Sequence, residues 1–179
     1  MIRLSVKAYQ GAGIPAFSRY CMKNTLVAYF SASGVTAGKA KELAEALGAD
    51  LFEIKPLVPY TKADLDWMNR DSRSSVEMRD KASRPEIAGT CPDMGKYDTV
   101  FLGFPIWWYI APTIVNTFLE AHDMAGKTVI PFATSGGSGM GRTNEFLAPS
   151  LPGARLLEGR VLNLPGSREI ETWLGKLDL

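Results

Sequence analysis

"YFSASGVTAGKA", residues 29–40, joins an apolar run to a helical pattern through a stretch built almost wholly of hydroxyl-bearing residues, alanine and glycine. Ser31, Ser33 and Thr36 surround Gly34 at the mouth of the helix, more hydroxyls than a plain turn requires. Two readings stand at this point. One is a serine-rich N-cap turn. The other is an anion site, because a helix start offers unpaired N–H groups and the positive end of its dipole, both suited to phosphate. No lysine stands where a Walker sequence needs one, so the site would hold a phosphate monoester without transferring it.

The segments on either side decide between fold classes. "TLVAYF" (25–30), "TVFLGF" (99–104) and "TVIPFAT" (128–134) are short, nearly continuous apolar runs, the pattern of parallel strands covered on both faces. "DLFEI" (50–54) and "RLLEGRVLNL" (155–164) are weaker strand candidates. Ala40, Leu43, Ala44 and Leu47 recur at helical spacing with Lys39, Lys41, Glu42 and Glu45 left for solvent, and Gly48 supplies a stop. Further helices are expected at 112–122, 141–147 and 168–177. This alternation predicts a doubly wound α/β sandwich with right-handed crossovers. Pro131 strains the reading, since a residue without an N–H usually marks an edge or a bulge. The long 55–97 segment has balanced charges and is expected to be folded, with Thr61 capping a helix that carries Leu65, Trp67 and Met68. Tyr60 and Trp67 either cover the site or bury the segment against the sheet.

The 179 residues suffice for one domain with a sizeable core, and 20 basic against 19 acidic residues give no bias toward nucleic acid. Cys21, Cys91 and the single histidine, His122, form neither a disulfide framework nor a zinc pattern. His122 reads as a helix cap or a surface residue. Residues 1–21 are basic without acids and lack the apolar block of a secretory signal, so they are expected to be a leader or remnant outside the fold, which then occupies 22–179. "GAGIPA" (11–16) has no preceding strand and is a poor dinucleotide fingerprint. No run is long enough to cross a bilayer, and the expected location is the cytoplasm.

Two more loops fall at the carboxyl ends of strands, where open α/β sheets bind ligands. "GFPIWWYIAP" (103–112) is aromatic, and "TSGGSGMG" (134–141) is rich in small residues and backbone N–H groups. The second nearly mimics a GxSxG nucleophile elbow, but Met140 holds the last glycine position. A flat heteroaromatic ring with a phosphate tail would suit all three loops.

Over residues 24–179 the sequence resembles the flavodoxin-like family, whose phosphate loop (S/T)x(S/T)GNT is matched by Ser31-Ala32-Ser33-Gly34-Val35-Thr36 with Val35 in place of asparagine. The "PIWW" segment is closer to the quinone-reductase branch than to acidic electron carriers. The resemblance implies a three-layer α/β sandwich with a five-stranded parallel sheet in the order 2-1-3-4-5 and FMN as cofactor. It implies that Ser31, Ser33, Gly34, Val35 and Thr36 hold the phosphate. Pro105, Ile106, Trp107, Trp108 and Tyr109 would then border the isoalloxazine, with Thr134, Ser135, Gly136, Gly137, Ser138 and Gly139 at its pyrimidine end. Backbone N–H groups of 135–139 would favour the reduced flavin, and with no Asp or Glu in the three loops the potential is expected to be less negative than an acidic carrier's. The expected function is redox chemistry, either as an NAD(P)H-dependent reductase of quinones, as a carrier docking on a partner protein, or as an FMN-binding module without turnover.

Overall fold

The computed structural model describes residues 22–164, 166 and 168–177. The leader, "GAGIPA" and Cys21 lie outside the described residues. In chain order the elements are β1 (Thr25–Tyr29), α1 (Val35–Leu47), β2 (Asp50–Glu53), α2 (Arg73–Arg79), β3 (Thr99–Pro105), α3 (Thr113–Glu120), β4 (Thr128–Thr134), α4 (Thr143–Leu147), β5 (Arg155–Leu156), β6 (Arg160–Val161) and α5 (Arg168–Leu174). The strands form one parallel sheet in the order 2-1-3-4-5, with β6 also pairing β4.

Alternation along the central strands sorts the core into two layers. Leu26, Ala28, Phe30, Val100, Leu102 and Phe104 face α3 through Ile114, Val115 and Phe118. Val27, Tyr29, Phe101, Ile130 and Phe132 face α1 and α5 through Leu43, Leu47, Ile170 and Trp173. Both faces of β1, β3 and β4 are therefore apolar, which is why their sequences are nearly continuous hydrophobic runs. Gly103 faces Phe132 across the β3–β4 register, and a Cβ there would come within 2.8 and 2.9 Å of that ring's Cε atoms. Gly48 ends α1 in the left-handed conformation, as its position in the sequence implies.

Two expectations are corrected. The 155–164 run is two short strands, not one. β5 pairs Thr128 and Val129, β6 pairs Phe132 and Ala133, and the break lies opposite Pro131. Leu157 and Leu162 donate to the carbonyls of Val129 and Ala133, so Pro131, midway between them, turns its missing N–H toward this same edge. Gly159 packs there, where a Cβ would stand 3.0 Å from the proline Cβ and 3.2 Å from its oxygen. The proline thus stays inside a regular β4, and the neighbouring strand carries the interruption.

The second correction concerns residues 61–71, which form turns; the helix of this segment is α2, capped by Ser72 accepting from Ser75 N–H. Thr61 does cap a single turn: Asp64 Oδ2 accepts from Thr61 N–H and Oγ1 (2.8 and 2.7 Å), Thr61 Oγ1 accepts from Asp64 N–H (3.2 Å), and Leu65 N–H donates to Thr61 O. The turn does not propagate, because Asp66 Oδ1 takes the Met68 N–H and Asn69 Oδ1 the Asp71 N–H. His122, just past α3, accepts from Cys91 N–H at Nε2 (2.9 Å), which leaves Nδ1 as the protonated nitrogen donating to Phe118 O (2.7 Å). It is a helix cap that also holds the 91 region. Cys91 is buried and free.

Candidate functional site

The loops after β1, β3 and β4 meet on one rim of the sheet. Phe30 N–H donates to Gly103 O and Ile106 N–H to Thr134 O, which carries the ladder past the strand ends and sets the three loops side by side.

In the first loop Gly34 has φ 88°, a left-handed conformation that glycine adopts without strain. This turn brings Ser31 Oγ over the start of α1, where it accepts from Gly34 N–H (3.1 Å) and Ala37 N–H (3.2 Å). Ser31 is thus a helix-capping hydroxyl. The N–H groups of Val35 and Thr36, in the first turn, have no acceptor among the described residues. Ser33 is exposed and has no partner among the described residues, and the Val35 side chain is exposed to solvent. Thr36 is buried, and its Oγ1 lies 2.8 Å from Thr134 Oγ1, a direct bridge from the first loop to the third.

The second loop is a tight hairpin. Trp107 and Ile110 exchange both backbone hydrogen bonds (3.0 and 3.1 Å), and the two residues between them, Trp108 and Tyr109, have φ of 46° and 67°. Positive φ at both central positions is the sign of a type I′ turn, which ordinarily takes Asn and Gly. Each bulky residue there costs about 1–2 kcal/mol. The strain is held by the surroundings: Gly141, itself at φ 54°, abuts the Tyr109 carbonyl so closely that a Cβ would collide with its oxygen. Trp107 turns inward, edge-on to Phe30 (5.6 Å) and Tyr60 (5.5 Å). Trp108 and Tyr109 stay 44% and 70% exposed.

The third loop folds on its own serines. Ser135 Oγ accepts from Ser138 N–H (2.8 Å) and Gly137 N–H (3.2 Å) and lies 2.9 Å from Ser138 Oγ. Asn163 clamps the loop's base, accepting from Ser135 N–H (2.9 Å) and donating to its carbonyl (2.7 Å). Of the N–H groups expected to face a ligand, those of Ser135, Gly137 and Ser138 are spent inside the protein. Those of Gly136 and Gly139 have no acceptor among the described residues.

Between these loops opens a cleft of about 490 Å³. Expected residues that line it are Ser33, Pro105, Ile106, Trp107, Trp108, Tyr109 and Ser138. Ser31, Gly34, Val35 and Thr36 shape the helix mouth beside it; Thr134, Ser135, Gly136, Gly137 and Gly139 support the third loop without lining this space. Sequence reading missed Ser74, a buried residue on α2 that reaches the lining and whose hydroxyl has no partner among the described residues. Trp67 stands at the rim, 72% exposed.

Tyr60 settles how the 55–97 segment is seated. Its ring packs on Phe30 and Trp107, the Arg73 guanidinium lies 4.0 Å above it, and its hydroxyl donates to Glu77 Oε2 (2.5 Å). Burial, then the Glu77 carboxylate, push the phenol well above its usual range. Tyr60 is therefore an anchor behind the aromatic wall and a neutral donor at physiological pH.

The flavodoxin family model matches residues 24–177. The chain belongs to the flavodoxin family. It is similar to a protein classed as a flavoprotein from Bacteroides eggerthii, with 50% identity over 88% of this chain and 99% of that one and a TM-score of 0.84. A second such protein, from Bacteroides uniformis, is 49% identical over 86% and 99% of the two chains, with a TM-score of 0.82. A Lactobacillus acidophilus flavoprotein, solved in complex with FMN, shares the fold at 23% identity, 85% and 99% coverage and a TM-score of 0.66. No curated protein matches the chain. Against the family's phosphate-loop motif this flavodoxin departs at Val35, which stands where the motif has asparagine.

Proposed function

We propose that this flavodoxin binds FMN at the three-loop rim and works as an NAD(P)H-dependent reductase of quinones or similar acceptors, in the quinone-reductase-like branch of the family and in the cytoplasm. The observation that carries the reading is the cleft of about 490 Å³ that puts an aromatic wall, Pro105 to Tyr109, beside a hydroxyl-rich helix start. The residues fit the group at both ends. The free N–H groups of Val35 and Thr36 and the Ser33 hydroxyl suit a phosphate, while Trp108 and Tyr109 suit a flat ring. The FMN bound by the Lactobacillus acidophilus protein of the same fold supports the choice of flavin.

FMN, when bound, supplies the hydride and electron chemistry. The chain's own part is to bind and orient. Ser31 fixes the helix start and Thr36 ties it to β4 through Thr134, so the phosphate end and the ring end hold one spacing. The strained hairpin presents two aromatic faces without a carboxylate nearby in the three loops, which gives a flat, uncharged acceptor a surface to stack on.

The test is a pair of stopped-flow experiments. Protein loaded with FMN is mixed with NADPH, and dithionite-reduced protein with menadione. Rapid bleaching in the first and rapid reoxidation in the second support the reductase. Reoxidation without bleaching by NADPH points to a carrier fed by a partner protein, and neither reaction points to a binding module.

A further inference from the structure

The Trp108-Tyr109 hairpin has a second side. Beyond it lies another cleft, of about 840 Å³, bounded by the hairpin, the end of α2 with the turn after it, α3 and α4. Trp108 and Tyr109 line both spaces and form the partition they share. None of the three loops' phosphate-binding features opens here.

The chemistry of this cleft is specific. On its floor Asn116 of α3 is 1% exposed, and its Oδ1 has no hydrogen-bond partner among the described residues. Which atom of that amide is left without a partner is fixed by its neighbours. Ser150 Oγ gives its one proton to Glu120 Oε1 (2.6 Å) and so accepts from Asn116 Nδ2 (3.0 Å). Glu120 in turn holds Arg84 through two contacts, 2.8 and 2.9 Å. The Asn116–Ser150–Glu120–Arg84 network is satisfied except at the Asn116 carbonyl oxygen, and a buried acceptor without a donor is costly. A ligand N–H or O–H would complete it.

The rim has a sign. Arg84 is taken up by Glu120 and Arg142 by Glu145, but the Lys81 ammonium meets no carboxylate among the described residues. The lining thus carries one uncompensated positive charge. Between rim and floor stand the aromatic side chains of Trp108, Tyr109 and Phe146. An acceptor at the floor, a cation at the rim and aromatic sides define a small set of ligands.

We propose that this cleft is a second binding site, for an aromatic carboxylate whose ring carries a hydrogen-bond donor: the donor meets Asn116 Oδ1, the ring lies against the partition, and the carboxylate faces Lys81. The site does not depend on the flavin reading, since its residues other than the partition are absent from the FMN cleft.

The test is calorimetric titration with 4-hydroxybenzoate, benzoate and 4-hydroxybenzamide at low salt, each on FMN-loaded protein and on flavin-free protein. The expected order is 4-hydroxybenzoate tightest, with benzoate roughly tenfold weaker for want of the donor. The benzamide should be weaker by a few fold, and the 4-hydroxybenzoate advantage over it should shrink in 0.5 M salt. Asn116→Leu should remove the preference for the hydroxyl while benzoate binding is kept, and Lys81→Ala should weaken both acids alike. In the loaded protein the flavin blocks the other cleft, so binding there reports this one. Absence of binding by any of the three, an unchanged hydroxyl preference in Asn116→Leu, or binding that FMN abolishes would each overturn the proposal. Should Asn116→Leu fail to fold, the Lys81→Ala titrations and displacement of the Asn116 side-chain amide resonances by 4-hydroxybenzoate decide it, and resonances that do not move overturn it. FMN failing to bind while the series keeps its order would refute the flavin reading alone.

Discussion

Replacing Gly141 by alanine should disturb the aromatic wall from behind. Gly141 sits at φ 54°, and its added Cβ would meet the Tyr109 carbonyl oxygen, with the Tyr109 carbonyl carbon and Cβ both at 3.2 Å. The left-handed backbone alone costs an alanine about 1–2 kcal/mol. The collision has no flexible side chain to absorb it, so the hairpin must retreat by roughly 1 Å, weakening the two Trp107–Ile110 bonds at about 1 kcal/mol each. The fold itself can survive, because the hairpin is a rim feature. The ring contact cannot: a gap of 0.5–1 Å forfeits about a quarter to a half of each dispersion contact. With an aromatic contact of about 1 kcal/mol also lost, FMN should bind roughly 10- to 100-fold more weakly. Gly126→Ala is the matched control, since Gly126 has φ 75° and nothing within 4 Å of an added Cβ. It should pay the backbone strain and leave FMN affinity alone. Affinity is read by quenching of flavin fluorescence and apo-protein stability by urea unfolding. If Gly141→Ala binds FMN as the parent does while losing no more stability than Gly126→Ala, the hairpin is not the flavin's wall.

Trp107 and Trp108 should part company. Trp107→Ala, which removes the ring packed on Phe30 and Tyr60, should cost the apo-protein about 3 kcal/mol in urea unfolding, whereas Trp108→Ala should leave stability nearly intact and weaken flavin quenching. Tyr60→Phe should cost about 1–3 kcal/mol at pH 7, because Glu77 loses a buried donor. The raised phenol also sets a pH window: the unfolded chain ionises Tyr60 from about pH 10 upward while the native state keeps it neutral, so stability contributed below pH 10 is lost above it, and the alkaline slope should flatten in Tyr60→Phe. Gly103→Ala should destabilise the protein by about 1–3 kcal/mol or more, since the Phe132 ring has no room to retreat in the core; unfolding unchanged from the parent would show that β3 and β4 can separate there.

What was legible in the sequence was what repeats at short range. The three central strands read through because two helical layers cover them, and α1 read through because its apolar stripe ends at a glycine with φ 61°. The three rim loops followed from the strand ends. Features built by distant residues left no local trace. The partner of Ser135 is Asn163, 28 residues on, and nothing near either residue marks the pair. Ser74 reaches the cleft only because Tyr60 seats its segment on Phe30 and Trp107. The Thr61 helix stopped after one turn for a local reason that was visible in principle: Asp66 and Asn69 compete with helix carbonyls for backbone N–H groups. The split of 155–164 was set by Pro131 on the neighbouring strand. The left-handed Trp108-Tyr109 pair runs against residue preference, and such conflicts concentrate at functional sites.

The central claim is that the hydroxyl loop and the start of α1 hold a phosphate monoester at the end of a flavin. Its most direct test is the dissociation constant of FMN against that of riboflavin, measured by fluorescence quenching under one buffer without phosphate. The account predicts submicromolar binding of FMN, consistent with about 0.3 kcal/mol for each of roughly thirty heavy atoms. Riboflavin, which lacks only the phosphate, should bind at least about tenfold more weakly. Equal affinities would contradict it and return Ser31, Ser33 and Thr36 to the role of a capped turn.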